Sequence, residues 1–335
     1  MTDIGFPQVW TRFMELIESH QRFLIASHIR PDGDAIGSAL AMKRILTRLG
    51  KDAKLVLDED IIGTFDRFYR EGELEVYDPE KSDYSDREVL IMLDAGEWLR
   101  LGCVGAMMSK HSGQKVCVDH HIAQGDFDGL MIRDAKSPST TVIVHRFIKF
   151  LEMEFDFELA EPIYLGIIVD TQNFHLPNTT EETHHIAADC LKAGVESHRV
   201  HEPIYGTTLF SRLRLMSAAF QTLEIRCNGI VGVMHTSQAM FKETEAVETD
   251  DDGFVDFVRT VEGVRIGIYI REENNGTVKV SWRAKGDNNI VISAQKFGGG
   301  GHIRAAGATI TGSLEEAKKM VLDDLRNRAQ NGEFT

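Results

Sequence analysis

His28-Ile29-Arg30-Pro31-Asp32-Gly33-Asp34-Ala35-Ile36-Gly37-Ser38 lies between a strand-like run, Phe23-Leu24-Ile25-Ala26-Ser27, and a helix-like run from Ala39 to Leu49. One imidazole and two carboxylates thus share one tight turn at the carboxyl end of a strand. An open α/β sheet places its site there. Pro31 and Gly33 bend the backbone so that His28, Asp32 and Asp34 can converge. An Asp-Gly turn with a helix-capping aspartate accounts for one carboxylate. It does not account for a histidine with two, and the stretch points to a metal ion.

Outward from that turn, helical and strand-like segments alternate. Phe13 to Phe23 reads as an amphipathic helix running into the first strand, and Lys54 to Leu57, Glu88 to Leu93 and Val116 to Val118 read as further strands. This alternation is the βαβ signature of a doubly wound, mainly parallel sheet. Ser139 to Leu151 reads as a helix with Ser139 as its N-cap, and Thr180 to Ala193 as a helix closed by Gly194. Leu159 to Val169 is apolar but for Glu161 and therefore buried; its periodicity fits helix or strand equally.

The rhythm breaks near Glu196 to Leu209. The expected division is a metal-binding domain over residues 1–195, a linker with its helix over 196–215, and a smaller α+β domain over 216–335. In the last, Ser211 to Leu223 and Glu315 to Arg328 are helical, and Ile230 to Met234, Arg265 to Ile270 and Thr277 to Trp282 are strand-like. Asn274-Asn275-Gly276 supplies a hairpin turn, and acidic Glu243 to Asp252 reads as a solvated loop or helix start.

A chain of 335 residues with 42% hydrophobic content supports two cored domains. No run reaches transmembrane length, the N-terminus lacks signal-peptide order, and Cys103, Cys117, Cys190 and Cys227 form no Cys-x-x-Cys pair. A cytoplasmic protein with reduced, mostly buried thiols is expected. The net charge of −15 argues against a protein that coats long duplex nucleic acid. Residues 265–310 hold seven Lys or Arg against three Asp or Glu, a net of +4 that leaves −19 for the remainder. A locally basic segment on an acidic protein suits a small anionic ligand.

Three more turns end buried apolar runs: Val89 to Leu93 leads to Asp94, Lys115 to Val118 to Asp119-His120-His121, and Leu165 to Val169 to Asp170. Each alone has a structural explanation. Together they are hard to explain without a cation, because burying that many carboxylates costs several kcal/mol each. Carboxylate-rich, thiolate-free ligands select Mn²⁺ or Mg²⁺ over structural zinc, and five or six of them favour two ions with a shared carboxylate.

HIRPDGDAIGS, LDAGEWLRLG, VDHH and IVDTQNF resemble, in order and spacing, the four motifs of the DHH phosphoesterase superfamily. Ser281-Trp282-Arg283 and Phe297-Gly298-Gly299-Gly300-Gly301-His302-Ile303-Arg304-Ala305-Ala306-Gly307 resemble the substrate motif of its DHHA1 domain. The absence of large insertions makes the chain similar to the small stand-alone branch that cleaves very short oligonucleotides and 3′-phosphoadenosine 5′-phosphate (pAp). The resemblance implies one Mn²⁺ on His28, Asp32 and Asp94 and a second on Asp34, Asp94, His120 and Asp170, with Asp94 bridging. It implies that His121 meets the scissile phosphate or leaving oxygen and that Asp119 orients a neighbour. Arg100 is substrate-facing or a partner of the motif aspartates. The glycines Gly299, Gly300 and Gly301 read as a backbone nest for a terminal phosphate, with Arg283, His302 and Arg304 around it.

The implied function is a Mn²⁺-dependent phosphodiesterase releasing 5′-mononucleotides from short single-stranded oligonucleotides, with pAp phosphatase activity. The site is expected between the two domains, without a membrane partner and with a homodimer possible. Cyclic dinucleotide hydrolysis, pyrophosphate hydrolysis and non-enzymatic nucleotide sensing are the alternatives. Gln172, His175 and Ala284 depart from the family pattern near the expected substrate path, while His184 and His185 have no counterpart in it. Asn178-Thr179-Thr180 is a formal glycosylation sequon, without consequence in the cytosol.

Overall fold

Phe23 and Ile25 point to one side of the first strand, Leu24 and Ala26 to the other, and all four are buried. A strand covered on both faces belongs inside a parallel sheet. The computed structural model describes residues 6–61, 64–122 and 127–334 and divides into two units, one ending at Thr207 and the other beginning at Thr208.

In the first unit the strands are β1 (Arg22–Ala26), β2 (Asp52–Leu57), β3 (Glu75–Val76), β4 (Val89–Leu93), β5 (Gln114–Asp119) and β6 (Leu130–Arg133). They form one all-parallel sheet in the order β3-β2-β1-β4-β5-β6. The helices are α1 (Phe6–Ser19), α2 (Gly33–Arg48), α3 (Gly102–Lys110), α4 (Thr140–Phe150), α5 (Phe157–Asp170), α6 (Glu181–Lys192) and the short α7 (Ser197–His201). Residues of α1, α2, α4 and α5 pack on the Phe23–Ile25 side, and Val104 and Met108 of α3 on the other. This is the doubly wound α/β architecture, and its strand order reverses between β1 and β4.

Two segments differ from expectation, and the run at 159–169, open between helix and strand, takes one of the two. Helix α1 stops at Ser19 and β1 begins at Arg22, because the buried side chains from Phe23 onward pack alternately into two different cores and only a strand can place both sets. The apolar run at 159–169 is helical; Asp156 caps it by accepting the Leu159 N–H, and it packs along α2. Part of the expected linker is built into the first unit: Val200 of α7 is buried in its core, and a π-turn over Glu202–Gly206 follows.

The second unit carries β7 (Glu224–Arg226), β8 (Val231–Thr236), β9 (Ile266–Glu272), β10 (Thr277–Ala284), β11 (Gly300–His302) and β12 (Ala305–Thr311). They form a mixed sheet in the order β11-β12-β10-β9-β8-β7, antiparallel except between β8 and β9. Its helices are α8 (Phe210–Gln221), α9 (Gln238–Thr244), α10 (Phe254–Thr260), α11 (Val291–Lys296) and α12 (Leu314–Gln330). Val278, Val280 and Trp282 of β10 pack with Ala294 of α11 and Val321 and Leu325 of α12. On the opposite face, Phe254, Val255 and Val258 of α10 and Leu215 of α8 cover Tyr269 and Met234.

The acidic loop is not uniformly solvated. Asp250 and Asp251 are buried: Asp250 caps Val247 N–H at 3.0 Å, and Asp251 meets Tyr269 at 2.8 Å and Arg271 at 3.0 Å. Arg271 on β9, a charged partner twenty residues further on and invisible in local sequence, offsets part of the cost of burying Asp251. Cys117 and Cys190 are buried as expected, whereas Cys103 is exposed. Among the described residues no helix is long and apolar enough to cross a membrane.

Candidate metal centre

The reversal of strand order between β1 and β4 opens a crevice at their carboxyl ends. His28 lies two residues after β1, and Asp94 directly follows β4. Asp94 takes a left-handed φ of 56°, unusual for a residue with a Cβ. Its carboxylate lies with Oδ2 3.5 Å from His28 Nε2 and Oδ1 3.5 Å from His120 Nε2. Asp119 closes β5, so His120 and His121 emerge one strand further along.

Asp34 and Asp170 arrive on helices. Asp32 caps α2 by accepting from the N–H groups of Asp34 and Ala35 at 3.0 and 3.1 Å, which sets Asp34 in the first turn. Asp170 is the last residue of α5, with Oδ2 3.1 Å from His120 Nε2. Candidate ligand atoms fall into three groups, each within 4.8 Å: His28, Asp32 and Asp94; Asp34, His120 and Asp170; and Asp94, His120 and His121. All six residues expected to bind metal are therefore gathered in one place, and Asp94 occurs in two of the groups.

The electrostatics fit a cation. Asp34 is fully buried and Asp94 nearly so, and among the described residues no Lys or Arg forms an ion pair with Asp32, Asp34, Asp94 or Asp170. Burial, then the charges of Asp170, Asp94 and Asp32, pushes the Asp34 carboxyl well above the usual carboxylate range. Burial, then Asp94 and Asp32, pushes Asp170 up to about 8. Buried carboxylates that repel one another and find imidazoles but no Lys or Arg beside them are the donor set a hard divalent ion requires. His28 and His120 each place Nδ1 near a main-chain oxygen, of Ile29 at 2.9 Å and Ser137 at 3.2 Å, which leaves Nε2 free to ligate.

His121 is oriented differently. Its Nδ1 sits 2.8 Å from Asp119 Oδ1, while the other Asp119 oxygen accepts from Arg133 Nε at 3.2 Å. The hydrogen bond to Asp119 raises the His121 pKa against the opposing effect of burial. Burial lifts Asp119, but His121 and Arg133 outweigh it and hold the carboxylate low. Asp119 therefore faces His121 and Arg133. Arg100 donates to the Ala95 carbonyl at 3.2 Å, and among the described residues it pairs with no motif aspartate.

Several contributors escaped the sequence reading. Thr140 and Thr141, the first residues of α4, donate their backbone N–H groups to Asp34 at 2.6 and 2.9 Å, and Thr140 Oγ1 reaches Asp94 at 2.9 Å. The Ser139 cap was the available signal, since it marks a helix end with unpaired N–H donors. Asn178, read as part of a sequon, donates Nδ2 to the main-chain oxygens of Pro138 and Asp170. Gln172, Asn173 and Phe174 follow with positive φ, and Phe174 stacks on His184 at 5.0 Å. His184 and His185 are exposed.

Gly166 on α5 fixes the approach to α2 and α4. A Cβ there would stand 2.6 Å from Asp34 Oδ1 and 2.4 Å from Thr141 Oγ1. Gly166→Ala is expected to cost about 1–3 kcal/mol through overpacking and to weaken metal binding, read by thermal unfolding and Mn²⁺ titration. Lost stability with unchanged metal affinity would separate Asp34 from the ligand set.

The glycine run does not form a nest along its length. Gly298 and Gly301 have positive φ, but Gly300 and Gly301 belong to β11, paired with Gly307 and Ala306 of β12. Gly299 and Gly301 are required by close approach: a Cβ would meet Gly307 O at 2.1 Å and Ala305 O at 2.5 Å respectively. Arg283 lies on β10, His302 ends β11, and exposed Arg304 lies 3.5 Å from Asp287.

Residues 22–167 match the model of the DHH family, N-terminal domain, and residues 240–331 that of the DHHA1 domain. A bifunctional oligoribonuclease and PAP phosphatase NrnA of Thermus thermophilus is 34% identical over 90% of this chain and 88% of its own length. The protein of the same name from Bacillus subtilis is 27% identical over 93% and 96%. The crystal structure of an exopolyphosphatase-related protein from Bacteroides fragilis superposes with a TM-score of 0.86 at 24% identity, over 98% of this chain and 100% of that one.

Proposed function

The chain belongs to the DHH family with a DHHA1 domain and is a metal-dependent phosphoester hydrolase, and we propose that it hydrolyses short oligonucleotides to 5′-mononucleotides and dephosphorylates pAp. The observation that carries this reading is the convergence of four aspartates and two histidines at the β1–β4 crevice, in a chain 34% identical to an oligoribonuclease and PAP phosphatase. His28, Asp32 and Asp94 would hold one Mn²⁺, and Asp34, Asp94, His120 and Asp170 the other, with Mg²⁺ as a substitute. When bound, two such ions lower the pKa of a shared water and neutralise charge on the phosphoryl oxygens.

The protein's own groups do the rest. Thr140 and Thr141 hold Asp34 in place. With Nδ1 tied to Asp119, the ring nitrogen of His121 left for substrate is Nε2. Its raised pKa favours the cation, which can donate a proton to the leaving oxygen. Arg283, His302, Gly299, Gly300, Gly301 and Arg304 are assigned to the terminal phosphate, and Arg100 to substrate beside His121.

The test is Mn²⁺-dependent turnover of di- to decanucleotides, pAp, cyclic di-AMP and pyrophosphate. Efficiency should peak at about two to five nucleotides, the span a pocket can enclose. Longer strands must cross a surface that carries −19 outside residues 265–310, and salt should narrow the difference by screening it. Steady or rising efficiency toward twenty nucleotides at low salt would assign the protein to long single strands, and preference for pyrophosphate would overturn the proposal.

A further inference from the structure

Asp119 and Arg133 end two neighbouring strands, β5 and β6, and stand in register with each other. Residues in register leave a sheet on the same face. Here it is the face on which Cys117 and Met131, two residues earlier, pack with Val104 and Met108 of α3. The Asp119 side chain is wholly buried, and that of Arg133 is 15% exposed. The two carboxylate oxygens have separate partners. Oδ1 takes both the ring Nδ1 of His121 at 2.8 Å and its main-chain N–H at 3.2 Å, whereas Oδ2 accepts from Arg133 Nε at 3.2 Å.

Two observations set this pair apart from an ordinary structural ion pair. Among the described residues Arg133 has no other ion pair, and its Nη2 is buried without a hydrogen-bond partner. A buried guanidinium with an orphaned donor adds little to stability. The turn that carries Asp94 also leaves room for the pair. Gly96 there has a φ of 73°, and a Cβ on it would stand 2.9 Å from Asp119 Oδ2 and 3.4 Å from Arg133 Nη2. The torsion that turns a carboxylate about its Cβ–Cγ bond is soft, and the His121 side chain, 38% exposed, has little packing to hold it. The direction of Oδ1 therefore fixes the ring, and the grip on Oδ2 fixes Oδ1.

Resting on the role given to His121 above, we propose that Arg133 is a positioning residue for the reaction: it holds Asp119 Oδ2, which aims Oδ1 at His121 and sets His121 Nε2 toward the leaving oxygen. Arg133 acts only through Asp119 and His121. The rate of the chemical step should depend on it, and the binding of metal and substrate should not.

The experiment measures kcat and KM on a ribodinucleotide, with Mn²⁺ affinity, for Arg133→Met, Arg133→Lys and Arg133→Gln, each alone and combined with His121→Ala. Methionine removes the donor and should lower kcat about tenfold, with KM and Mn²⁺ affinity changed by less than about twofold. Lysine keeps the buried charge that the folded chain needs but not the Nε geometry, and should lower kcat about threefold. Glutamine can place Nε2 where Arg133 has Nε, and should restore most of the methionine loss. In the His121→Ala background each change should cost less than about twofold, because residues acting through one another are not additive. A methionine or lysine loss of the same size in that background overturns the proposal, as does full kcat in both Arg133→Met and Arg133→Lys. A His121→Ala enzyme with full kcat overturns instead the His121 role on which the proposal rests.

Discussion

Asp94→Ala is expected to abolish turnover, by roughly three orders of magnitude or more, and to weaken Mn²⁺ binding at both sites. One Asp94 oxygen lies 3.5 Å from His28 and the other 3.5 Å from His120, so a single carboxylate faces both halves of the cluster. Its position depends on a left-handed backbone at the end of β4, a main-chain hydrogen bond to Val118 and the Thr140 hydroxyl. Alanine removes two donor atoms at once and leaves Asp34 and Asp170 repelling each other with fewer ions to neutralise them. His121→Ala provides the contrast. It should lower kcat by about a hundredfold, as loss of a general acid does, while both ions remain bound, because His121 turns Nδ1 to Asp119. Calorimetric titration of Mn²⁺ into both variants beside kinetics separates the cases. Two ions bound with normal affinity in Asp94→Ala would rule out a bridging role.

The first turn was legible in the sequence because strand, turn and helix are local, and Pro31, Gly33 and the Asp32 cap act within a few residues. Asp94 and His120 could be placed by the same logic, each ending a buried strand. Asp170 could not be placed on a strand or a helix, since a run of eleven residues that is apolar but for Glu161 carries neither period. Helix α5 is specified by its Asp156 cap and by glycines that let α2 and α5 approach. Thr140 and Thr141 act through backbone N–H groups, which every residue but proline possesses, so their identity gave no signal. The glycine run shows the opposite failure. Consecutive glycines suggested a nest, but β11 is defined by pairing to β12, and two of the glycines answer to steric contact there.

Stripping the metal should destabilise the protein progressively as pH rises from 5 to 8, while the Mn²⁺-loaded form stays nearly flat. Asp170 is pushed up to about 8, and Asp34 is raised well above its ordinary value. In the unfolded chain both titrate near 4. Between those values the folded, metal-free protein holds protons that the unfolded chain has released. Stability then falls with increasing pH: the contribution is fully present below about 4 and is lost as pH passes through the folded values. Carboxylates held low by arginine, such as Glu73 beside Arg44, act in the reverse sense but are already ionised above pH 5. A bound cation removes the reason for the raised values, because it favours the ionised carboxylates. Mn²⁺ at a hundred times its dissociation constant adds about 2.7 kcal/mol, or about 5–10 °C in Tm for a unit of this size. The gap between loaded and chelated protein should therefore widen from pH 5 to pH 8, in thermal scans with and without chelator. Mn²⁺ binding at pH 7 should release protons, measurable as a buffer-dependent enthalpy. A Tm indifferent to chelator across this range would mean that the buried aspartates are neutralised by something other than a metal ion.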